Sequence, residues 1–179
     1  QLSDQLRLAS GVTLQNRIVK AAMEENLAGP GQVPGEALER LYNAWGRGGA
    51  GLIITGHVMV DARALAQPAD VVLDANADLT GFRAWSSAAR ANGARILMQI
   101  NHPGRVIQKD LAAVTWSASD VRIDLGGMSK MFGIPRAMTE ADILETIQRF
   151  TTTASLAEQA GFDGVEIHAA HGYLLSQFL

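Results

Sequence analysis

The sequence predicts an α/β fold with a parallel sheet: the N-terminal half of a (β/α)8 TIM barrel, four parallel strands preceded by a hairpin. Three observations carry this. Short apolar runs alternate with amphipathic runs of helical period, the pattern of a parallel sheet covered by helices. Two of the apolar runs end in clusters of polar, proton-handling residues, at the strand ends where barrel enzymes keep their chemistry. Finally, the chain has 179 residues, whereas eight βα units need about 250 or more, so the four strands account for half a barrel.

The elements follow in order. "LRLASGVTL" reads as a short hairpin around Ser10 and Gly11. "NRIVKAAM" is the first long strand. "PGEALERLYNAWGRGG" is a helix with Pro34 near its start and glycines after its end. "AGLIITG" is a fully apolar second strand, and "ADLTGFRAWSSAARANG" a second helix closed by Asn92 and Gly93. "ARILMQIN" is the third strand. The stretch from about His102 to Met138 is rich in Gly, Pro, Ser and Asp and reads as irregular. "TEADILETIQRFTTTASLAEQAG" is a long helix with Thr139 as N-cap and Gly161 just past its end. "FDGVEIHA" is the fourth strand.

A doubly wound dinucleotide-binding sheet competes with the barrel, but it wants a Gly-rich turn after its first strand. That turn here is "AAMEENLAGPGQ", without the pattern. The literal G-x-G-x-x-G, Gly46 to Gly51, leaves a helix and enters a strand. No helix N-terminus faces a phosphate there, so it reads as a helix stop and tight turn. Strand alternation favours the barrel. Ile96, Met98 and Ile100 share one face and Arg95, Leu97 and Gln99 the other; Val165 and Ile167 oppose Glu166 and His168. The apolar faces would pack on helices and the mixed faces point into a barrel, with Gln99 and His168 at neighbouring strand ends.

Composition excludes several classes. With 47% hydrophobic and 18% charged residues the chain is of globular type. A net charge of −3 gives no reason to expect nucleic acid or an anionic membrane as partner. The lack of Cys removes disulfides and thiolate metal sites. No run approaches the roughly 18 apolar residues of a membrane span, and no signal peptide is visible; a cytoplasmic protein is expected.

Two clusters carry chemistry. His168, His171 and Tyr173 lie beyond the fourth strand. Two imidazoles can hold one oxygen, polarising a carbonyl, and a phenol beside them can protonate a carbon. The same residues could ligate a metal, or simply end a strand, cap a helix and pack. The second cluster is "QINHPGR", Gln99 to Arg105. Gln99 can both donate to and accept from a planar amide-like edge, or can be no more than the polar end of a strand.

Together with "LQNRIVKAAM", these clusters resemble the old yellow enzyme family of FMN-dependent ene-reductases and NADH:flavin oxidoreductases. The resemblance covers nearly the whole chain in order. "NRIVKAAM" is similar to the first barrel strand and its flavin-contacting turn, "GLIITG" to the second strand, "QINHPGR" to the third, and "AGFDGVEIHAAHGYLLSQFL" to the fourth with its loop. The resemblance implies that Gln99 contacts the flavin pyrimidine ring. It implies that Ala21, Ala22 and Met23 line the flavin, with His57 near it. His168 and His171 would bind the substrate carbonyl oxygen, and Tyr173 would donate a proton to the substrate carbon. Two positions depart from the family pattern: Ala22 stands where many members have Pro, and Glu24 where they have Thr, Ser or Cys near the flavin. A carboxylate at Glu24 would repel an electron-rich ring and donates a hydrogen bond only when protonated.

The resulting expectation is an FMN-dependent oxidoreductase, with NADH or NADPH as reductant and an α,β-unsaturated carbonyl (enone-type) compound as substrate. No metal is expected. The alternatives are a metal-dependent barrel hydrolase using His168, His171 and perhaps His102, and a non-catalytic flavin-binding protein. Residues 1–179 are expected to be one incomplete barrel domain of a truncated or partial enzyme. Its open sheet edges suggest a possible homo-oligomer.

Overall fold

The structure, a computed structural model, describes residues 1–179. A hairpin of β1 (Leu6–Arg7) and β2 (Thr13–Leu14) opens the chain, antiparallel, with Leu6 opposite Leu14. The first strand of the main sheet, β3, is only Val19–Lys20, far shorter than the run "NRIVKAAM" predicts. At its start the strand is cut short by a contact across the fold. Asn16 turns its side chain onto the backbone, accepting from Ile18 N at 3.0 Å and donating to Gly49 O at 2.7 Å. Beyond Lys20 the chain leaves the sheet to form an irregular turn through residues 21–25.

Helix α1 (Glu36–Arg47) starts after Pro34 with Gly35 as N-cap and buries Leu38, Tyr42 and Gly46. Strand β4 (Leu52–Met59) outlasts the predicted apolar run, because Asn101 still pairs with Met59 at its far end. A two-residue strand, β5 (Val71–Val72), pairs parallel to the end of β4; the sequence reading missed it. Helix α2 (Thr80–Ala89) and strand β6 (Arg95–Asn101) follow as expected. Within the stretch expected to be irregular, β7 (Thr115–Ser117) and β8 (Pro135–Ala137) pair in parallel. Helix α3 (Glu140–Gln159) begins with a full capping box, Thr139 and Asp142 each bonding the other's backbone N–H. Gly161 follows its last cap residue with φ +89°. Strand β9 (Gly164–Ile167) completes the sheet.

The main sheet runs β3-β4-β6-β9, all parallel and in sequence order. One face carries the core. Ile53, Val58, Ile96, Met98 and Ile100 pack against Leu38 and Tyr42 of α1, Phe82 and Trp85 of α2, and Ala157 of α3. Trp85 sits edge-on to both Tyr42 and Phe162. The helix layer thins toward β9. Ile167, expected on the helix-facing side, is 54% exposed, and with Ile147 and Phe178 it borders an apolar groove of about 600 Å³.

Gly46 shows how closely α1 and α2 approach. A methyl at that position would collide with the carbonyl oxygen of Ala89 on α2. Gly46→Ala should therefore destabilise the protein by about 1–3 kcal/mol, the cost of overpacking, despite alanine's better helix propensity. Gly127→Ala, with open space around it, should lie within about 0.5 kcal/mol of wild type in the same denaturant titration.

Candidate active site

The chemistry-bearing residues meet at the C-terminal end of the sheet. Ala22, Met23, Glu24, His57, Gln99, His168, His171 and Tyr173 line one pocket of about 440 Å³, together with Glu166 and Ile167. Ala21 is exposed and outside this lining.

A bulge in β4 brings His57 there. Ile54 pairs with Leu97, but His57 pairs with Gln99, so β4 carries one extra residue between them. Simple alternation from Ile53, which faces the helices, would put His57 on the helix side too. The bulge reverses the parity: Val58 joins the helix-side core and His57 turns into the pocket. Gly56 is the bulge's smallest residue, and a Cβ there would strike Met23 O and a Glu25 carboxylate oxygen. The turn after β3 is thus packed directly on the bulge.

A polar network fixes that turn from behind. Tyr42 Oη donates to Glu25 Oε1 at 2.6 Å and accepts from Gly56 N at 3.1 Å. Lys20 Nζ donates to Ile54 O at 2.9 Å, lies 3.5 Å from Glu25 Oε1, and sits over the Trp45 ring at 4.3 Å. Burial, followed by Glu25, pushes the Tyr42 phenol well above its ordinary value, so it stays a donor. Burial lowers Lys20, while Glu25 pulls it back up.

On the other wall, β9 ends and the chain folds back. His168 Nδ1 accepts the N–H of Ala170 at 3.1 Å. The ring proton therefore resides on Nε2, and His168 offers the pocket a neutral N–H donor. Burial, with His171 and His57 adding, lowers its pKa to about 4. His171 adopts φ +59° and Gly172 φ +73°, a left-handed pair that folds the loop over. For His171 this conformation costs on the order of 1 kcal/mol. The turn sets the His171 ring 5.0 Å from that of His168, and the Tyr173 ring 4.9 Å from His168. The Tyr173 hydroxyl makes no hydrogen bond within the chain. Burial, with Glu24 and Asp70 adding, pushes it up to about 12, so the phenol is protonated at neutral pH.

Between the two walls, Gln99 donates to Glu166 Oε1 at 2.7 Å, while its backbone N–H bonds Thr55 Oγ1 at 3.0 Å. His102 lies elsewhere. It is buried outside the pocket, with Nδ1 accepting from Gly104 N at 3.1 Å. Glu166, which strand alternation placed on the inner face, bonds Gln99, but two contributors escaped the sequence reading. Asn101 bonds His57 from the end of β6. Asp70, 3.3 Å from His57 Nε2, lies in a loop and carries no sequence signal.

The pocket offers a flat, mixed lining: amide, imidazole and phenol groups beside the small side chain of Ala22. That donor set suits the edge and face of a planar heteroaromatic ring. No Lys or Arg is in the lining, so these residues fit the flavin ring of FMN and not its phosphate.

Comparison with known proteins agrees with the geometry. Residues 6–179 match the model of the NADH:flavin oxidoreductase / NADH oxidase family. The NADH-dependent flavin oxidoreductase nadA of Aspergillus parasiticus is 42% identical over 92% of this chain and 40% of its own length. The NADH-dependent flavin oxidoreductase iccE of Talaromyces variabilis is 39% identical over 99% of this chain and 47% of its own. Among solved structures, a morphinone reductase variant in complex with tetrahydroNAD superposes with a TM-score of 0.89 at 27% identity, covering 99% of this chain and 51% of that one. The old yellow enzyme homologue from Zymomonas mobilis gives 0.85 at 28% identity, covering 97% and 50%. The fold is therefore the N-terminal half of the old yellow enzyme type of TIM barrel, its four barrel strands being β3, β4, β6 and β9. The chain belongs to the NADH:flavin oxidoreductase / NADH oxidase family, an FMN-binding family. It spans about half the length of the curated relatives it matches.

His102 supplies a pH test. Burial lowers its pKa from 6.5 to about 4, outweighing the pull of Asp61. The unfolded chain takes up this proton near pH 6.5 and the folded one only near 4, so stability should fall as pH drops through that window. His102→Asn keeps an acceptor for Gly104 N and should make the fall shallower in denaturant titrations across that range. An unchanged slope would mean His102 is not the group resisting protonation.

Proposed function

We propose that the intact protein is an FMN-dependent oxidoreductase that takes hydride from NADH or NADPH and delivers it to the activated C=C of an α,β-unsaturated carbonyl compound. The observation that carries this reading is the pairing of a neutral His168 Nε2–H donor with a protonated, unbonded Tyr173 phenol on one pocket wall. Residues 1–179 then form one incomplete barrel domain.

FMN, when bound, supplies a group that accepts hydride from the nicotinamide and gives it to the substrate. In this reading Ala22, Met23 and Gln99 hold its ring. His168 and His171 hold the substrate's carbonyl oxygen; their donors withdraw charge from the conjugated alkene and so favour addition at its far carbon. Tyr173 gives its proton to the carbon next to the carbonyl, and solvent reaching the partly buried phenol replaces it. Forming the C–H bond consumes the phenol proton, and the reduced product carries no net charge. The hydrolase reading is weaker. His168 and His102 each commit Nδ1 to a backbone N–H, and His102 is not in the pocket.

The test is direct. The purified intact protein should be yellow, hold one FMN, and oxidise NADH or NADPH with a simple enone. A colourless protein, or a yellow one that never turns over an enone, overturns the proposal.

Tyr173→Phe should slow enone reduction by roughly 10²–10⁴-fold, as for loss of a general acid. Cofactor reduction by the nicotinamide should stay within a few fold of wild type in stopped-flow measurements. Equal slowing of both would make Tyr173 a positioning residue.

His168→Ala and His171→Ala should each weaken binding of a simple phenol, which mimics the carbonyl oxygen, and slow enone turnover by roughly 10²-fold. Phenol titrations unchanged in both variants would remove the pair from substrate binding.

A further inference from the structure

The wall of the pocket formed by the turn after β3 and by β4 hides an unusual charge arrangement. Asp70, 2% exposed, accepts three donors: Ala66 N at 2.7 Å and Gln67 N at 2.8 Å on Oδ2, and His57 Nε2 at 3.3 Å on Oδ1. Glu24 Oε2 lies 3.5 Å from that same Nε2 and accepts no hydrogen bond from the chain. The His57 tautomer follows from its other side. Asn101 Nδ2 lies 3.3 Å from His57 Nδ1, and an amide N–H can only donate, so Nδ1 is the acceptor and the ring carries its proton on Nε2. This leaves the Asn101 Oδ1 buried without a partner.

One N–H thus stands between two carboxyl groups, and Asp70 is the better supplied of the two. The other charged groups nearby do not help Glu24. Lys20 is engaged with Ile54 O and Glu25, and Glu25 is of like charge. His168 keeps a neutral ring, and Tyr173 keeps its proton. No Arg or Lys lines the pocket. A carboxylate oxygen of Glu24 and one of Asp70 lie within 4.8 Å of each other and of the same His57 nitrogen, and two carboxylates that close disfavour each other's charge.

We infer that Glu24 and Asp70 share one proton beside His57, with Glu24 the neutral member: a carboxylic acid lending one hydrogen-bond donor to the pocket it lines with Tyr173 and Gln99. The chemical class it suits is a planar ring with an acceptor edge, such as a carbonyl oxygen or an unprotonated ring nitrogen. The Glu24 side chain is 30% exposed, and the partial burial of its carboxyl still raises its pKa from the ordinary value; His57 opposes this, and Asp70 and Glu25 add to it. An acid at this position removes the repulsion that a carboxylate would impose on an electron-rich ring. It also makes the pocket pH-sensitive, because loss of the Glu24 proton turns a donor into an anion.

The inference rests on the proposed function for the identity of the ring and not for the protonation state, and the two can fail separately. Infrared spectroscopy of the intact protein, first stripped of flavin and then loaded, reads the state directly. A carboxylic-acid C=O band should be present at neutral pH and vanish in Glu24→Gln. In Asp70→Asn the carboxylate neighbour is gone, so the band should disappear at lower pH than in wild type. In the loaded protein the flavin potential of Glu24→Gln should match wild type at neutral pH, and lose the wild type's downward bend at higher pH. Nitrogen NMR of His57 should show one protonated nitrogen, Nε2. Three results would each overturn the inference: no acid band at neutral pH, a band that survives in Glu24→Gln, or a doubly protonated His57 between two ionised carboxylates. Should Glu24→Gln fold poorly by circular dichroism, Glu24→Asp serves instead, and its band should shift in frequency.

Discussion

The slip of one residue in β4, between Ile54 and His57, is the constraint on which the rest of the pocket depends. A regular strand presents alternate residues to opposite faces, so it cannot give consecutive commitments to two layers of opposite parity. With the bulge, Ile53 and Val58 both reach the helix-side core while His57 and Met59 turn inward. The glycine at the bulge lets the turn after β3 settle directly on it, and Tyr42 from α1 closes the arrangement by bonding Gly56 and Glu25 at once. Helix packing, strand parity and the position of Glu24 are therefore one structural decision.

The opposite wall is fixed by different means. Leu174 N bonds His102 O at 3.0 Å, and Leu174 itself is buried, so the loop after β9 is tied back to the end of β6. Tyr173 packs against a small cluster of Met59, Leu65, Ala66 and Val72. Strand β5, two residues long, brings Val72 into that cluster. The phenol is thus held by apolar contacts on its ring and left unbonded at its hydroxyl. That division leaves the phenol O–H free to bond a ligand.

Electrostatics separate the two walls. On one side His168 and Tyr173 offer neutral donors, because burial disfavours charge on both. The Glu24–His57–Asp70 side concentrates acidity around a single ring nitrogen. No helix in the structure is long and apolar enough to cross a membrane.

The sequence by itself determined the order of the four main strands and three helices, the parallel sheet and the inner-face assignments of Gln99, Glu166 and His168, because period-2 and period-3.6 patterns are local properties of the chain. Thr139 as N-cap was legible for the same reason: its partner, Asp142, is three residues away. The residues in "AAHGYLL" were legible as a cluster because they are adjacent in sequence. Only the tertiary structure decided the length of β3, since Asn16 shortens it by bonding Gly49 across the fold. Only it decided the parity of His57, because a bulge is defined against a partner strand and leaves no trace in periodicity. Asp70 and Asn101 became part of the site through contacts with His57 spanning 13 and 44 residues of chain. Side chains brought together over such distances are set by how the strands stack, and no local pattern in the sequence records it.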